Sequence, residues 1–220
     1  MPSPPPRPHP ADYGPLARYY DLLASLAFGG SLRRAQRAAL AAGLASIGPA
    51  PRVLVLGGGP GWVLGALWRA CPTARVLYLE VSAPMLARTQ ARLQRRPPPP
   101  GGAVELRLGS EADLQPGEQF EALVTFFVLD SFLPDALPPA LTQLAAARRP
   151  GAPWLVADFL PAAGGWRRAL LAVMYWFFGR VVGLQARQLP PWPAALAARD
   201  LRLTWEQHFF GGAVAAQVWR

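Results

Sequence analysis

Residues 53–62 read VLVLGGGPGW. Four β-preferring apolar residues run straight into a glycine cluster, the pattern of a buried parallel strand that turns sharply into a helix. Glycine reaches positive φ at little steric cost, and it admits a ligand where a Cβ would stand in the way. Gly57, Gly58, Gly59, Pro60 and Gly61 therefore mark the expected place of a nucleotide-like cofactor. The reaction itself is not written in this stretch.

Working outward, residues 16–46 are rich in Ala, Leu and Arg and predict two helices broken at Gly29-Gly30, with Ser31 as N-cap of the second. A helix is expected over 62–70 and a strand over 75–80 (RVLYLE). Ser82 then caps a helix through 83–96, in which Met85, Leu86 and Leu93 recur at helical spacing. The run PPPPGG at 97–102 is a loop. A third strand follows over 104–108 and a fourth over 121–128, almost continuously apolar and so central. A helix over 138–149 ends at Pro150-Gly151, and WLVADF at 154–159 is a fifth strand. The chain closes with 201–208 and 213–219 around Gly211-Gly212, which reads as a hairpin. Strands alternating with helices predict an α/β fold: a doubly wound, mostly parallel seven-stranded sheet with an antiparallel C-terminal hairpin. Residues 1–15 read as a flexible Pro-rich tail. Residues 16–220 read as a single domain with a hydrophobic insert at about 160–190.

Composition bounds the function. With 52% hydrophobic and 16% charged residues, the chain is globular rather than disordered. Its net charge of +9 rests entirely on arginine, for there is no lysine; asparagine is absent too, and Ile47 is the single isoleucine. That is the mark of GC-rich coding. The arginines are scattered or paired, as solvated helix faces carry them, so a nucleic-acid partner is not expected. Cys71 stands alone, which leaves no intrachain disulfide and no CxxC metal or redox pair, and no metal is expected. A reducing cytoplasm fits. The first residues lack the apolar core of a signal peptide, and no run reaches the roughly 18–20 apolar residues of a membrane span.

A dinucleotide fingerprint, G-x-G-x-x-G, needs its third glycine at position 62, where helix and strand pack closely. Trp62 stands there instead. The G-x-G-x-G that is present at Gly57, Gly59 and Gly61 resembles motif I of class I S-adenosylmethionine-dependent methyltransferases. The resemblance continues in order. It implies that Glu80, ending the second strand, accepts the ribose hydroxyls and that Met85 lies near the adenine. LGSEADL at 108–114 resembles the segment that contacts the adenine amino group; Ser110 replaces its usual aspartate, so Ser110 or Glu111 serves. Thr125 and Phe126 would face the methionine part, and PGAPWLVADF resembles the strand that follows. The family commonly has an acidic residue two before the first glycine, whereas this chain has Val55.

The resemblance implies S-adenosyl-L-methionine as cofactor and methyl transfer as the reaction. The acceptor is less visible. Nucleic-acid amino-methyltransferases carry an Asn/Asp-Pro-Pro-Tyr/Phe loop after the fourth strand, where this chain has TFFVLD. Cytosine C5 chemistry would need a thiol near that strand, and Cys71 ends the first helix instead. In layout the chain is most similar to ubiquinone/menaquinone-biosynthesis C-methyltransferases: Tyr20-Asp21 precede motif I, an aromatic-rich segment follows the fifth strand, and a Gly-Gly hairpin closes the chain. The specific motifs of that insert are absent. Tyr19 and Tyr20 read either as a lid over the cofactor or as helix packing.

The segment 166–184 (WRRALLAVMYWFFGRVVGL) admits three readings: a helix packed on the sheet, a lid over a greasy substrate tunnel, or contact with a membrane surface. Candidate bases are Asp130 and His208, each equally readable as a loop cap or an ordinary strand residue. The expectation is a methyltransferase acting on a small, lipophilic acceptor, soluble or peripheral to the membrane. The alternatives are a nicotinamide-dependent oxidoreductase and a non-catalytic cofactor-binding module.

Overall fold

A computed structural model describes residues 30–161, 165–166, 169 and 189–220. The expected tail, Tyr19, Tyr20, Asp21, the first helix and nearly all of 166–184 lie outside these residues.

Alternation decides which residues of each strand go where. In β1 (Arg52–Leu56), Val53 and Val55 join one buried cluster while Leu54 and Leu56 join the other. Helices α1 (Ser31–Leu44) and α2 (Trp62–Ala70) supply Leu40, Leu64 and Leu67 to the first cluster. Helices α4 (Leu137–Ala147) and α5 (Trp192–Ala197) supply Leu141, Leu144, Trp192 and Leu196 to the second. A strand buried on both faces has no polar side, which is why its sequence reads as an unbroken apolar run.

The remaining strands are β2 (Arg75–Glu80), β3 (Ala103–Leu108), β4 (Ala122–Phe126), β5 (Trp154–Phe159), β6 (Leu203–Phe209) and β7 (Val214–Trp219). The sheet order is β3-β2-β1-β4-β5-β7-β6, with β1 to β5 parallel and β7 antiparallel to both neighbours. This is the seven-stranded architecture read from the sequence. The edge strands β3 and β6 are largely exposed, as edges with one dry face are. Helix α3 (Ala83–Arg95) starts at Ser82, whose hydroxyl accepts from the Met85 N–H at 3.4 Å, the expected cap.

Several boundaries differ from the sequence reading, most by one or two residues. Gly30, with φ 76°, caps α1 where Ser31 was expected; Ser31 is the first helical residue, and its hydroxyl accepts from Arg34. A serine at that left-handed φ would be strained, so the cap falls on the glycine. Strand β4 stops at Phe126 rather than 128, because Phe127, whose N–H still donates to the Ala157 carbonyl of β5, turns to φ 56° and carries the chain out of the strand. The helix expected over 138–149 runs from Leu137 to Ala147. Helix α5 was not anticipated, its Pro-rich surroundings masking six helical residues. Among the described residues no helix is long and apolar enough to cross a membrane.

Candidate cofactor site

Because β1 to β5 are parallel, the loops that leave their carboxyl ends collect along one edge of the sheet. The strand order reverses between β1 and β4, and the crevice of an open α/β sheet lies at such a switch point.

The glycine turn sits there. Gly57, Gly59 and Gly61 all have positive φ (62°, 63° and 77°). A Cβ on Gly57 would lie 2.5 Å from Val128 Cγ2, and one on Gly61 would lie 2.7 Å from Thr89 Cγ2. One on Gly58 would enter the Tyr78 ring. At Gly59 nothing comes within 4 Å. Three of the four glycines are thus required by the protein's own packing, and Gly59 alone faces open space. Pro60 completes the turn, its carbonyl accepting from Arg92 Nε at 3.0 Å.

Glu80 stands beside this opening, 5% exposed at the end of β2. One carboxylate oxygen accepts from the Gly59 N–H at 2.8 Å and the other from the Ser82 N–H at 2.9 Å. Burial pushes its carboxyl above the ordinary value, while those N–H groups favour the charged form. A carboxylate has about four acceptor positions, so capacity remains for hydroxyls from a ligand. The residues present therefore fit an adenosine: an open glycine, with an oriented carboxylate next to it.

The other expected contacts are distributed unevenly. Met85 is 4% exposed in the first turn of α3. Ser110 and Glu111 do follow β3, but the Ser110 hydroxyl is taken up by the Ala112 N–H (3.2 Å) and its own N–H by Asp113 (2.9 Å), a capping box around a short 3₁₀ turn. Glu111 is half-buried and lines a shallow depression with Gln143 and Ala146 of α4, its carboxyl raised by burial and by Asp113. Thr125 is 1% exposed and its hydroxyl accepts from the Trp154 indole at 3.0 Å. Its side chain belongs to the core, as does that of Phe126; Phe127 and Val128 are the half-buried residues that leave β4 at the edge. Val55 is a core residue, in register with Tyr78 of β2. Trp62 opens α2, and its indole lies beneath the guanidiniums of Arg33 and Arg37 of α1, at 5.3 and 5.2 Å. That packing against α1 is how an indole is accommodated where a dinucleotide fold wants glycine.

Of the candidate bases, His208 is exposed on the outermost strand and pairs with Glu206 at 3.1 Å, away from the glycine turn. Asp130 is half-buried in the turn after β4, and its N–H donates to Asp158 Oδ2 at 3.3 Å. The sequence reading missed Asp158. It is fully buried in β5, where it also takes the N–H groups of Leu129 (3.1 Å) and Phe159 (2.8 Å). Burial pushes Asp130 up to about 7 and, with the nearby Asp130 charge, holds Asp158 well above the carboxylate range. A lone acid inside the apolar WLVADF was the available signal.

An aromatic wall adjoins the same edge. Phe127 meets Phe159 with ring centroids 5.6 Å apart, and Trp166 meets Phe210 edge-on at 5.8 Å. Phe127, Phe209 and Phe210 pack on the buried cluster that holds Phe126 and Phe159. Phe127 and Phe210 both adopt positive φ (56° and 50°), a strained backbone for bulky residues.

Residues 53–151 match a family model described as a methyltransferase domain. No curated protein matches the chain. Solved structures with the same fold include a mitomycin 7-O-methyltransferase, at 20% identity and TM-score 0.68 over 95% of this chain and 60% of that one. They also include 1,6-didemethyltoxoflavin-N1-methyltransferase of Burkholderia thailandensis, a structure with bound 1,6-didemethyltoxoflavin and S-adenosylhomocysteine, at 18% identity and TM-score 0.61 over 100% of this chain and 91% of that one. The cyclopropane synthase MmaA2 of Mycobacterium tuberculosis matches at 14% identity and TM-score 0.65 over 82% and 64%. The chain thus spans under two thirds of the mitomycin enzyme and of the cyclopropane synthase. Over residues 53–151, the glycine turn and the next three strands, the chain is similar to a methyltransferase domain, and its sheet order is the fold it shares with these solved structures.

Proposed function

We propose that the protein transfers the methyl group of S-adenosylmethionine to a small, apolar acceptor at the carboxyl edge of the sheet. The observation that carries this reading is the juxtaposition of the open Gly59, the oriented Glu80 and, along the same edge, the aromatic wall of Phe127, Phe159, Phe210 and Trp166. S-adenosylmethionine supplies a methyl group on a positive sulfur, and its transfer asks for in-line placement more than for proton chemistry.

The chain's own residues provide that placement. Gly57 to Gly61 and Glu80 would hold the adenosine, with Met85, Ser110 or Glu111 on the adenine side and the backbone at Thr125 and Phe126 on the methionine side. Asp158 fixes the turn after β4 by taking two of its N–H groups, and that turn seats Val128 against Gly57. The cofactor crevice and the acceptor wall are thereby tied to one buried carboxylate. Aromatic rings favour a flat or greasy acceptor, since they bury apolar area and stack at defined distances. The same chemistry makes nucleic acid a poor partner and leaves peripheral contact with a membrane surface as a property of the aromatic segment after β5.

Titration calorimetry with S-adenosylmethionine tests the cofactor half, and binding is expected. Binding of NAD in its place would overturn the reading. Mass spectrometry of an apolar acceptor panel then tests the other half, with a gain of one methyl expected on at least one flat apolar compound.

A further inference from the structure

The Gly59 peptide is held from both sides before any ligand arrives. Its N–H donates to Glu80, and its carbonyl accepts from the Tyr78 hydroxyl at 2.9 Å and from Thr89 Oγ1 at 2.9 Å. Thr89 also lies 3.2 Å from the Met85 carbonyl and has one proton to divide between the two. Tyr78 directs its single proton at Gly59. Its side chain is completely buried, and its ring occupies the space that Gly58 leaves by lacking a Cβ. Burial raises its hydroxyl well above the ordinary phenol value, so it remains a donor at any physiological pH.

Strand β1 offers the turn no such group, because Val55, in register with Tyr78, is apolar. The turn is therefore anchored from the neighbouring strand and helix, through Tyr78, Thr89 and Arg92. We infer that Tyr78 is a positioning residue for the cofactor: it fixes the Gly59 peptide, which in turn orients the Glu80 carboxylate toward the ribose. This rests on the reading of Gly59 and Glu80 as the adenosine site. Losing the hydroxyl leaves the Gly59 carbonyl to Thr89 alone, whose proton is shared with the Met85 carbonyl; that loosens the Gly59 to Glu80 bond and leaves the carboxylate less well aimed.

The experiment is calorimetry and steady-state kinetics on the full chain with Tyr78→Phe, which keeps the ring that fills the turn. The dissociation constants of S-adenosylmethionine and S-adenosylhomocysteine are expected to rise together, by about 3- to 10-fold, the worth of one hydrogen bond. The kcat at saturating cofactor and the KM for the acceptor should stay at wild-type values. Thr89→Ser, which retains a hydroxyl, should bind as wild type does, whereas Thr89→Val should weaken binding. Unchanged cofactor affinity in Tyr78→Phe overturns the inference while the proposed function stands. A parallel loss of kcat, acceptor affinity and thermal stability would overturn it too, by making the role purely structural. If wild type binds no S-adenosylmethionine at all, both readings fall.

Discussion

Gly58 and Gly59 are adjacent and identical in type, yet the fold asks opposite things of them. At Gly58 a methyl group would enter the Tyr78 ring, and overpacking of that kind costs roughly 1–3 kcal/mol. At Gly59 there is room, so Gly59→Ala carries only the backbone strain of its φ of 63°, roughly 1–2 kcal/mol. Thermal melts should therefore show Gly58→Ala as the less stable variant. Calorimetry should show Gly59→Ala as a weak binder of S-adenosylmethionine, because its methyl would occupy the space that the proposed site assigns to the ligand. A Gly59→Ala protein that binds normally would place the ligand elsewhere. These two roles are indistinguishable in the string GGGPG, since a glycine records only that a side chain is missing, not what excludes it. Glu80 was legible because its spacing from the turn marks the end of the next strand. Asp158 was not, because its partners Leu129 and Asp130 lie 29 and 28 residues away.

The elements themselves were read nearly correctly wherever periodicity was strong. Strand β2, helix α2 and strand β5 begin and end where the sequence pattern puts them. Two of the misses fall at positions of left-handed φ, Gly30 and Phe127, where the chain breaks an element for a tertiary reason. The break at Phe127 brings the 3₁₀ turn Leu129–Ser131 over the end of β5 and sets Asp130 beside Asp158. That pair gives a pH signature. The folded state holds the Asp130 proton up to about 7, against about 3.9 for an ordinary aspartate, so folding takes up a proton across that interval. The contribution to stability is full below the unfolded value and is lost as pH rises toward 7. The melting temperature should thus decline over this range, and Asp130→Asn should flatten part of the slope. A variant with the wild-type slope would assign the titration to other groups, of which Asp158 and Glu80 shift in the same direction.

At the scale of the whole molecule, the proposed membrane contact would draw on the net charge of +9 and on the aromatic segment after β5. Arg167, Arg168 and Arg180 bracket that apolar run, and Trp166 is 54% exposed. Flotation with anionic liposomes is expected to carry the full chain upward, and deletion of 166–184 is expected to abolish this. A full chain that stays at the bottom removes the surface role and leaves the segment to packing on the sheet or to the acceptor. The sequence by itself determined the alternation of strand and helix, the glycine turn and the acid that follows it, because each is a local pattern of backbone freedom and apolar period. Only the tertiary structure decided that Tyr78 rather than residue 55 braces that turn, that Thr125 belongs to the core, and that Asp158 governs the loop after β4. Those assignments depend on which side chains meet across strands, and pairing in space is not encoded at any fixed spacing along the chain.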